Sequence, residues 1–317
     1  MWEKWQVAQQ IGSEQKYVVA NAVEVDAGTY CDRMIMEGDP FRLIEGMLIC
    51  ARAIGATRGY IYCRYEYPAA ALAMRFAIQK AREADLLDCD DYPFDLEVVV
   101  GAGSYVCGEE TALLESLEGR RGVVLAKPPY PAESGLYGKP TIVSNVLTFA
   151  TIPNILANGG AWHASLGTEG SSGTMALQIG GRVKQPGLVE IPFGLTLHDV
   201  LDQFGGGMAP GSRFKAVQVG GRWEACFRNR NSISPSAMTR LPRLEPFLGM
   251  AASSSTTMRR TWSSWHGTLW PSRRRNLAGN VRPAGLGRCG AVKFSNGFRA
   301  AREPRRISSS CPTSARP

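Results

Sequence analysis

The stretch "GAGSYVCGEETALLESLEGRR", Gly101 to Arg121, constrains the fold more than any other part of the chain. The run before it, "FDLEVVV" (Phe94 to Val100), alternates and then becomes continuously apolar, which predicts a buried strand. The run after it carries Ala112, Leu113, Leu114 and Leu117 on one helical face and meets a stop signal at Gly119. Strand, glycine loop and helix N-terminus in that order aim backbone N–H groups at an anionic or polar ligand. Gly103 and Gly108 leave backbone that such a ligand can approach closely.

The same alternation runs upstream. "KYVVANAVEVDAGTY" (Lys16 to Tyr30) begins as a strand and ends in a polar loop. "DPFRLIEGMLICARAIGA" opens with a capping Asp39 and Pro40 at the first helical position. "RGYIYCRYEYP" alternates as a strand and stops at Pro68, and "AAALAMRFAIQKAREADLL" (Ala69 to Leu87) predicts a further helix. Strand–helix–strand–helix–strand implies an α/β fold: a Rossmann-like parallel sheet with helices on both faces. Such a sheet takes its ligand at the carboxyl ends of its strands. "AKPPYPAESGLYGKPTIVSNV" (Ala126 to Val146) is too rich in Pro and Gly for a long helix or a central strand. It reads either as a functional loop over the ligand or as a surface connector. A helix is expected near Asn145 to Asn158. Beyond it, Ala176 to Gly207 predicts two short strands around a Gly/Pro turn and then a helix, a small α+β module.

Charge divides the chain. The formal net charge is +8, but acids and bases are mixed up to Gly221, whereas from Arg222 onward Asp is absent and only Glu224, Glu245 and Glu303 are negative. No segment is long and apolar enough to span a bilayer, and "MWEKWQVAQQ" lacks a signal-peptide core, so a cytoplasmic protein without direct membrane insertion is expected. None of the eight cysteines forms a C-x-x-C pair, which favours reduced structural thiols.

"GAGSYVCGEETALLESLEGRR", "KPPYPAESGLYGKPT" and "NAVEVDAGTY" together resemble the flavoprotein subunit that receives electrons from NADH in respiratory complex I. The diaphorase subunit of NAD-reducing hydrogenases and the beta subunit of NAD-dependent formate dehydrogenases share that family. "GDPFRLIEGM", "GATRGYIYCR" and "PGLVEIPFGLTLHDVL" are most similar to the formate dehydrogenase form. The resemblance spans Lys4 to Gly221 and implies an electron-transfer oxidoreductase subunit. Residues 1–165 are then an FMN- and NAD-binding domain, and residues 166–221 a β-grasp (SLBB-like) module. FMN would sit at the end of the sheet with NAD(H) stacked over it, and its electrons would leave toward iron–sulfur clusters. By correspondence, Tyr105, Gly108 and Glu109 lie against FMN and Glu110 faces the nicotinamide. Asn21 and Glu24 fall at the flavin's polar edges, and Asp26 at the NADH ribose. Lys127 and Tyr130 hold the dinucleotide, while Ser144 and Asn145 lie near the FMN phosphate. No side chain is required as general acid or base, because the cofactor carries the chemistry. The implied partners are a thioredoxin-like 2Fe-2S subunit and a larger catalytic subunit, in a complex peripheral to the inner face of the membrane. A non-catalytic remnant that still docks to such subunits is the alternative.

Three departures accompany the resemblance. Family members carry a glycine-rich phosphate loop ending in Gly-x-Lys-Trp, of which this chain has Lys4 and Trp5, so a missing front segment is expected. The usual "NADE" reads "NAVE", placing Val23 where an acid would meet the flavin. The tail lacks the 4Fe-4S motif C-x-x-C-x-x-C, and Cys226, Cys289 and Cys311 have no cluster spacing. A shifted reading frame accounts for this: "NLAGNVRPAG" (Asn276 to Gly285), read one base early, permits "ESCGKCTPCR", and two further segments match in the same frame. Residues 222–317 are therefore expected to be out of frame and disordered, with no nucleic acid as a partner; a basic nucleic-acid-binding tail is the alternative that their arginine content offers.

Overall fold

Val18, Ala20 and Ala22 pack into one apolar cluster while Tyr17, Val19 and Val23 pack into another, so the first strand is buried on both faces. The computed structural model describes residues 1–26, 28–214, 216–219, 226–227 and 252–256. Strand β1 (Tyr17–Ala22) pairs in parallel with β2 (Arg58–Arg64) on one side and β4 (Thr141–Asn145) on the other; β3 (Asp95–Gly101) extends the sheet beyond β2. The order is β3-β2-β1-β4. Successive strands move outward from β1 through β2 to β3, and the chain then returns to add β4 on the opposite side of β1. The order reverses between β1 and β4, and the crevice at such a switch point is where an open parallel sheet binds its ligand.

Helices α2 (Cys31–Gly38), α3 (Pro40–Ile54), α4 (Pro68–Glu83) and α6 (Val146–Asn158) supply Met36, Met47, Met74 and Phe149 to the cluster on one face, where Trp5 of α1 (Trp2–Gln10) also packs. Helix α5 (Glu110–Leu117) covers the other face with Leu113 and Leu114, alongside Cys107 from the loop before it. The Asp39–Pro40 start is as expected, with the Asp39 carboxylate accepting from Arg42 N. Helix α4 ends at Glu83 rather than Leu87, because Asp85 and Asp88 adopt positive φ and turn the chain. The Pro/Gly-rich stretch excludes a central strand, and its final residues do form one at the sheet edge, where β4 has a single partner. Helices α3 and α6 meet backbone to backbone at Gly46, where a Cβ would lie 2.0 Å from Phe149 O.

After a short helix α7 (Gly160–Ser165), β5 (Thr174–Gly181) and β6 (Gly187–Pro192) form the expected antiparallel pair. A helical stretch, Leu197–Asp199 continuing into Val200–Phe204, opens on a capping box between Thr196 and Asp199. Met175, Leu177, Ile179, Val183, Ile191, Val200 and Leu201 form this module's own core. Strands β7 (Ala216–Gln218), β8 (Cys226–Phe227) and β9 (Ala252–Thr256) complete a sheet of order β6-β5-β9-β7-β8. Two short pieces of the arginine-rich tail are thus strands. The rest of the expectation for 222–317, including Cys289 and Cys311, lies outside the described residues. Among the described residues no helix is long and apolar enough to cross a membrane.

Candidate functional site

The carboxyl ends of β1 and β4 bring Asn21 opposite Asn145 and Ala20 opposite Ser144. Above them opens a cleft of ≈ 630 Å³, a size typical of cofactor pockets. Eight of the twelve residues expected at the site line it: Lys4, Asn21, Gly108, Glu109, Glu110, Lys127, Ser144 and Asn145. Met1, Val143 and Thr148 line it too, and no sequence pattern pointed to them. The glycine loop is pinned to the sheet by Asn21, whose Nδ2 donates to Gly108 O at 2.9 Å and whose Oδ1 accepts from Val23 N at 3.1 Å. A Cβ on Gly108 would find nothing nearer than Val23 O at 3.8 Å, so the chain's own packing does not demand glycine there. Gly103 differs: its φ is +82° and a Cβ would lie 2.0 Å from the Tyr65 ring.

Charge across the cleft is balanced. Lys127 Nζ lies 2.9 Å from Glu109 Oε1 and 2.6 Å from Glu110 Oε1, and Lys4 Nζ lies 3.1 Å from Glu110 Oε2. Burial works against the Lys127 ammonium, but Glu110 and Glu109 hold its pKa above the ordinary lysine value. Glu109 is also the N-cap of α5: its Oε2 accepts from Thr111 N at 2.9 Å and Ala112 N at 3.1 Å. Burial pushes its carboxyl up, yet the Thr111 hydroxyl, Lys127 and Ala112 N–H together leave it below the usual value. The α5 N-terminus is therefore already neutralised by a carboxylate. At α6 the cap is neutral, because Asn145 Oδ1 accepts from Leu147 N at 2.8 Å. The N-terminus of α6, beside Ser144 and Thr148, also faces this cleft, and its Leu147 N–H is shared with the buried Asp32 carboxyl. Glu109→Ala is expected to cost about 1 kcal/mol through loss of the α5 cap, read as a lowered denaturant midpoint with unchanged slope.

Four expected residues stand apart from the cleft. Tyr105, half exposed, donates to Asp26 Oδ1 at 3.4 Å, and Tyr130 is exposed in the loop after Lys127. Glu24 is buried: its carboxylate accepts from Asp32 N at 3.2 Å, Arg33 N at 3.4 Å and the Tyr67 hydroxyl at 3.3 Å, capping α2. Burial raises its pKa despite those donors. Val23, the departure from the acid, is buried among Val19, Cys107 and Leu113 and serves as packing. Sequence reasoning missed Asp32, which is buried against the cleft floor and accepts from Asn145 Nδ2 at 2.7 Å.

A doubly wound parallel sheet with a polar, charge-balanced cleft at its switch point, followed by a small β-module, defines a cofactor-binding α/β protein. Residues 1–154 match the Nuo51 FMN-binding domain model, and residues 177–223 match the SLBB domain. It is 46% identical over 232 residues to the NADP-reducing hydrogenase subunit HndC of Solidesulfovibrio fructosivorans, covering 72% of this chain and 47% of that one. It is 50% identical over 210 residues to an NADH-quinone oxidoreductase subunit of Salmonella typhimurium, covering 65% and 47%. The crystal structure of an NAD+-reducing [NiFe]-hydrogenase in the air-oxidized state superposes with a TM-score of 0.69 at 35% identity, over 81% of this chain and 43% of that one. The chain spans about half the length of the curated relatives it matches.

Proposed function

We propose that this chain is the FMN- and NAD(H)-handling electron-transfer subunit of a multi-subunit oxidoreductase. The observation that carries the reading is the convergence of Asn21, Gly108, Glu110, Lys127 and Asn145 on one cleft at the β1–β4 switch point. The residues fit a flavin mononucleotide. Gly108 leaves the floor open to a flat ring, and Ser144 and Thr148 at the start of α6 offer hydroxyls to a phosphate. A flavin held there by Asn21, Gly108, Ser144 and Asn145 would supply the chemistry that links two-electron hydride exchange with a nicotinamide to one-electron transfer.

The chain's own residues bind and orient. Asn21 holds the loop, and Ser144, Asn145 and Thr148 receive the phosphate. Lys127 and Lys4 leave Glu110 to meet dinucleotide phosphates, while Tyr105 with Asp26 and the exposed Tyr130 border the dinucleotide's path. Glu24 supports this arrangement from behind, as the cap of α2. The subunit docks a thioredoxin-like 2Fe-2S subunit and a larger catalytic subunit, on the cytoplasmic side of the membrane. Whether that larger subunit oxidises formate or hydrogen, or serves quinone reduction, is set by those partners.

Purified chain reconstituted with FMN should keep a visible flavin spectrum after desalting and reduce ferricyanide with NADH. Loss of all flavin on desalting would overturn the reading. Lys127→Ala should keep the flavin but raise the NADH concentration needed for half-maximal rate about tenfold, the loss of one charged contact.

A further inference from the structure

The floor of the cleft rests on a buried carboxyl that the proposed function does not use. Asn145 occupies the β4–α6 junction, and its carboxamide orientation is dictated from two sides. Leu147 N needs an acceptor and takes Oδ1 at 2.8 Å, so the NH2 end must face the other way, where Asp32 Oδ2 accepts at 2.7 Å. One Nδ2 hydrogen is thereby used, and the second remains for whatever occupies the cleft that Asn145 lines.

Asp32 is 3% exposed and lies in the first turn of α2, whose N-terminus is held by the Glu24 carboxylate. Glu24 accepts from the backbone N–H groups of Cys31, Asp32 and Arg33 and from Tyr67 Oη, and the Arg64 guanidinium donates to its backbone oxygen. The donors favour the charge on Glu24. Two adjacent buried carboxyls do not both ionise readily, so the charge that these donors favour on Glu24 works against a charge on Asp32. Burial and the Glu24 charge both push the Asp32 pKa well up, the Asn145 side-chain N–H and the Leu147 backbone N–H opposing them.

We infer that Asp32 is a positioning residue: from behind the floor it fixes the Asn145 carboxamide so that one N–H remains aimed at the ligand. The inference rests on the proposed FMN site and deepens it. Asp32→Asn retains an acceptor at the same place, whereas Asp32→Ala removes it.

The test is FMN affinity, by quenching of flavin fluorescence, for wild-type protein, Asp32→Asn and Asp32→Ala. It is paired with the Asn145 side-chain NH2 signal in 15N–1H spectra of the flavin-free proteins, assigned with Asn145→Ser. The expected result is wild-type affinity for Asp32→Asn and about tenfold weaker binding for Asp32→Ala. The Asn145 signal should hold its position in Asp32→Asn and shift or broaden in Asp32→Ala. Equal affinity of all three, or equal loss in both variants, overturns the inference, as does an Asn145 signal indifferent to Asp32→Ala. Should Asp32→Ala fail to fold, Asp32→Leu, which fills the same space without an acceptor, takes its place. If wild-type protein binds no FMN, the functional reading falls, and the amide signal alone still decides the role of Asp32.

Discussion

Replacing Gly46 with alanine should destabilise the protein by about 2 kcal/mol, although the same change in an exposed helix interior ordinarily stabilises by about 1 kcal/mol. The sign is decided by contact. A Cβ at position 46 would sit 2.0 Å from Phe149 O and 2.6 Å from Phe149 C, both backbone atoms of α6 that no rotamer change can move. Helices α3 and α6 would have to separate, and overpacking of this kind costs about 3 kcal/mol, which outweighs the gain in helix propensity. For a domain of this size the melting temperature should fall by about 4–8 °C. Gly38→Ala is the control, because nothing lies within 4 Å of a Cβ there; it should be neutral or slightly stabilising. A Gly46→Ala protein as stable as wild type would mean that the two backbones are not in contact. The effect would also reach function, because α6 carries Asn145 at its N-terminus and any displacement of the helix moves the cleft floor.

The parts of this fold that sequence revealed are those whose signals are local. The unit from Phe94 to Gly119 announces itself by apolar periodicity broken by glycines, and α3 by Asp39 and Pro40. Helix α2 gave no such signal, because its N-cap residue Tyr30 makes no side-chain cap and the work is done by Glu24 from the preceding loop. Strand β4 was hidden by the prolines and glycines around it, and only pairing with β1 makes it a strand. The site divides in the same way. The glycine loop and the Glu109–Glu110 pair were visible from their place between a strand and a helix. The partners that fix their charge, Lys4 at a separation of 106 residues and Lys127 beyond a proline-rich loop, had no local pattern and entered only through the resemblance. Asp32 and Asn145, 113 positions apart, were beyond any local reading, because what joins them is the packing of α2 and α6 on one face of the sheet. Glu24, expected at a flavin edge, also caps α2 from the preceding loop, a role that no local pattern announces.

That buried junction carries the second large effect. Asn145→Leu should cost about 2–4 kcal/mol, the sum of a lost α6 cap at about 1 kcal/mol and a buried carboxyl left short of a donor at about 1–3 kcal/mol. The two parts separate by pH. The Asn145 N–H favours the charged form of Asp32, whose folded-state pKa is already raised by burial and by Glu24. A raised folded pKa means that the native state holds a proton the unfolded chain releases near pH 4. The stability linked to that proton is fully present below the unfolded value and is lost as pH rises through the folded one. Removing the donor raises the folded pKa further. The deficit of Asn145→Leu should therefore be smallest in acid and widen as pH climbs into the range where wild-type Asp32 ionises. Asn145→Ser keeps a competent cap while dropping the contact to Asp32, so it should recover about 1 kcal/mol of the deficit and none of its pH dependence. Urea midpoints for the three proteins across pH decide the matter. A deficit for Asn145→Leu that stays constant with pH, or a serine variant that restores the wild-type profile, would show that Asn145 acts on α6 alone and that Asp32 finds its partner elsewhere.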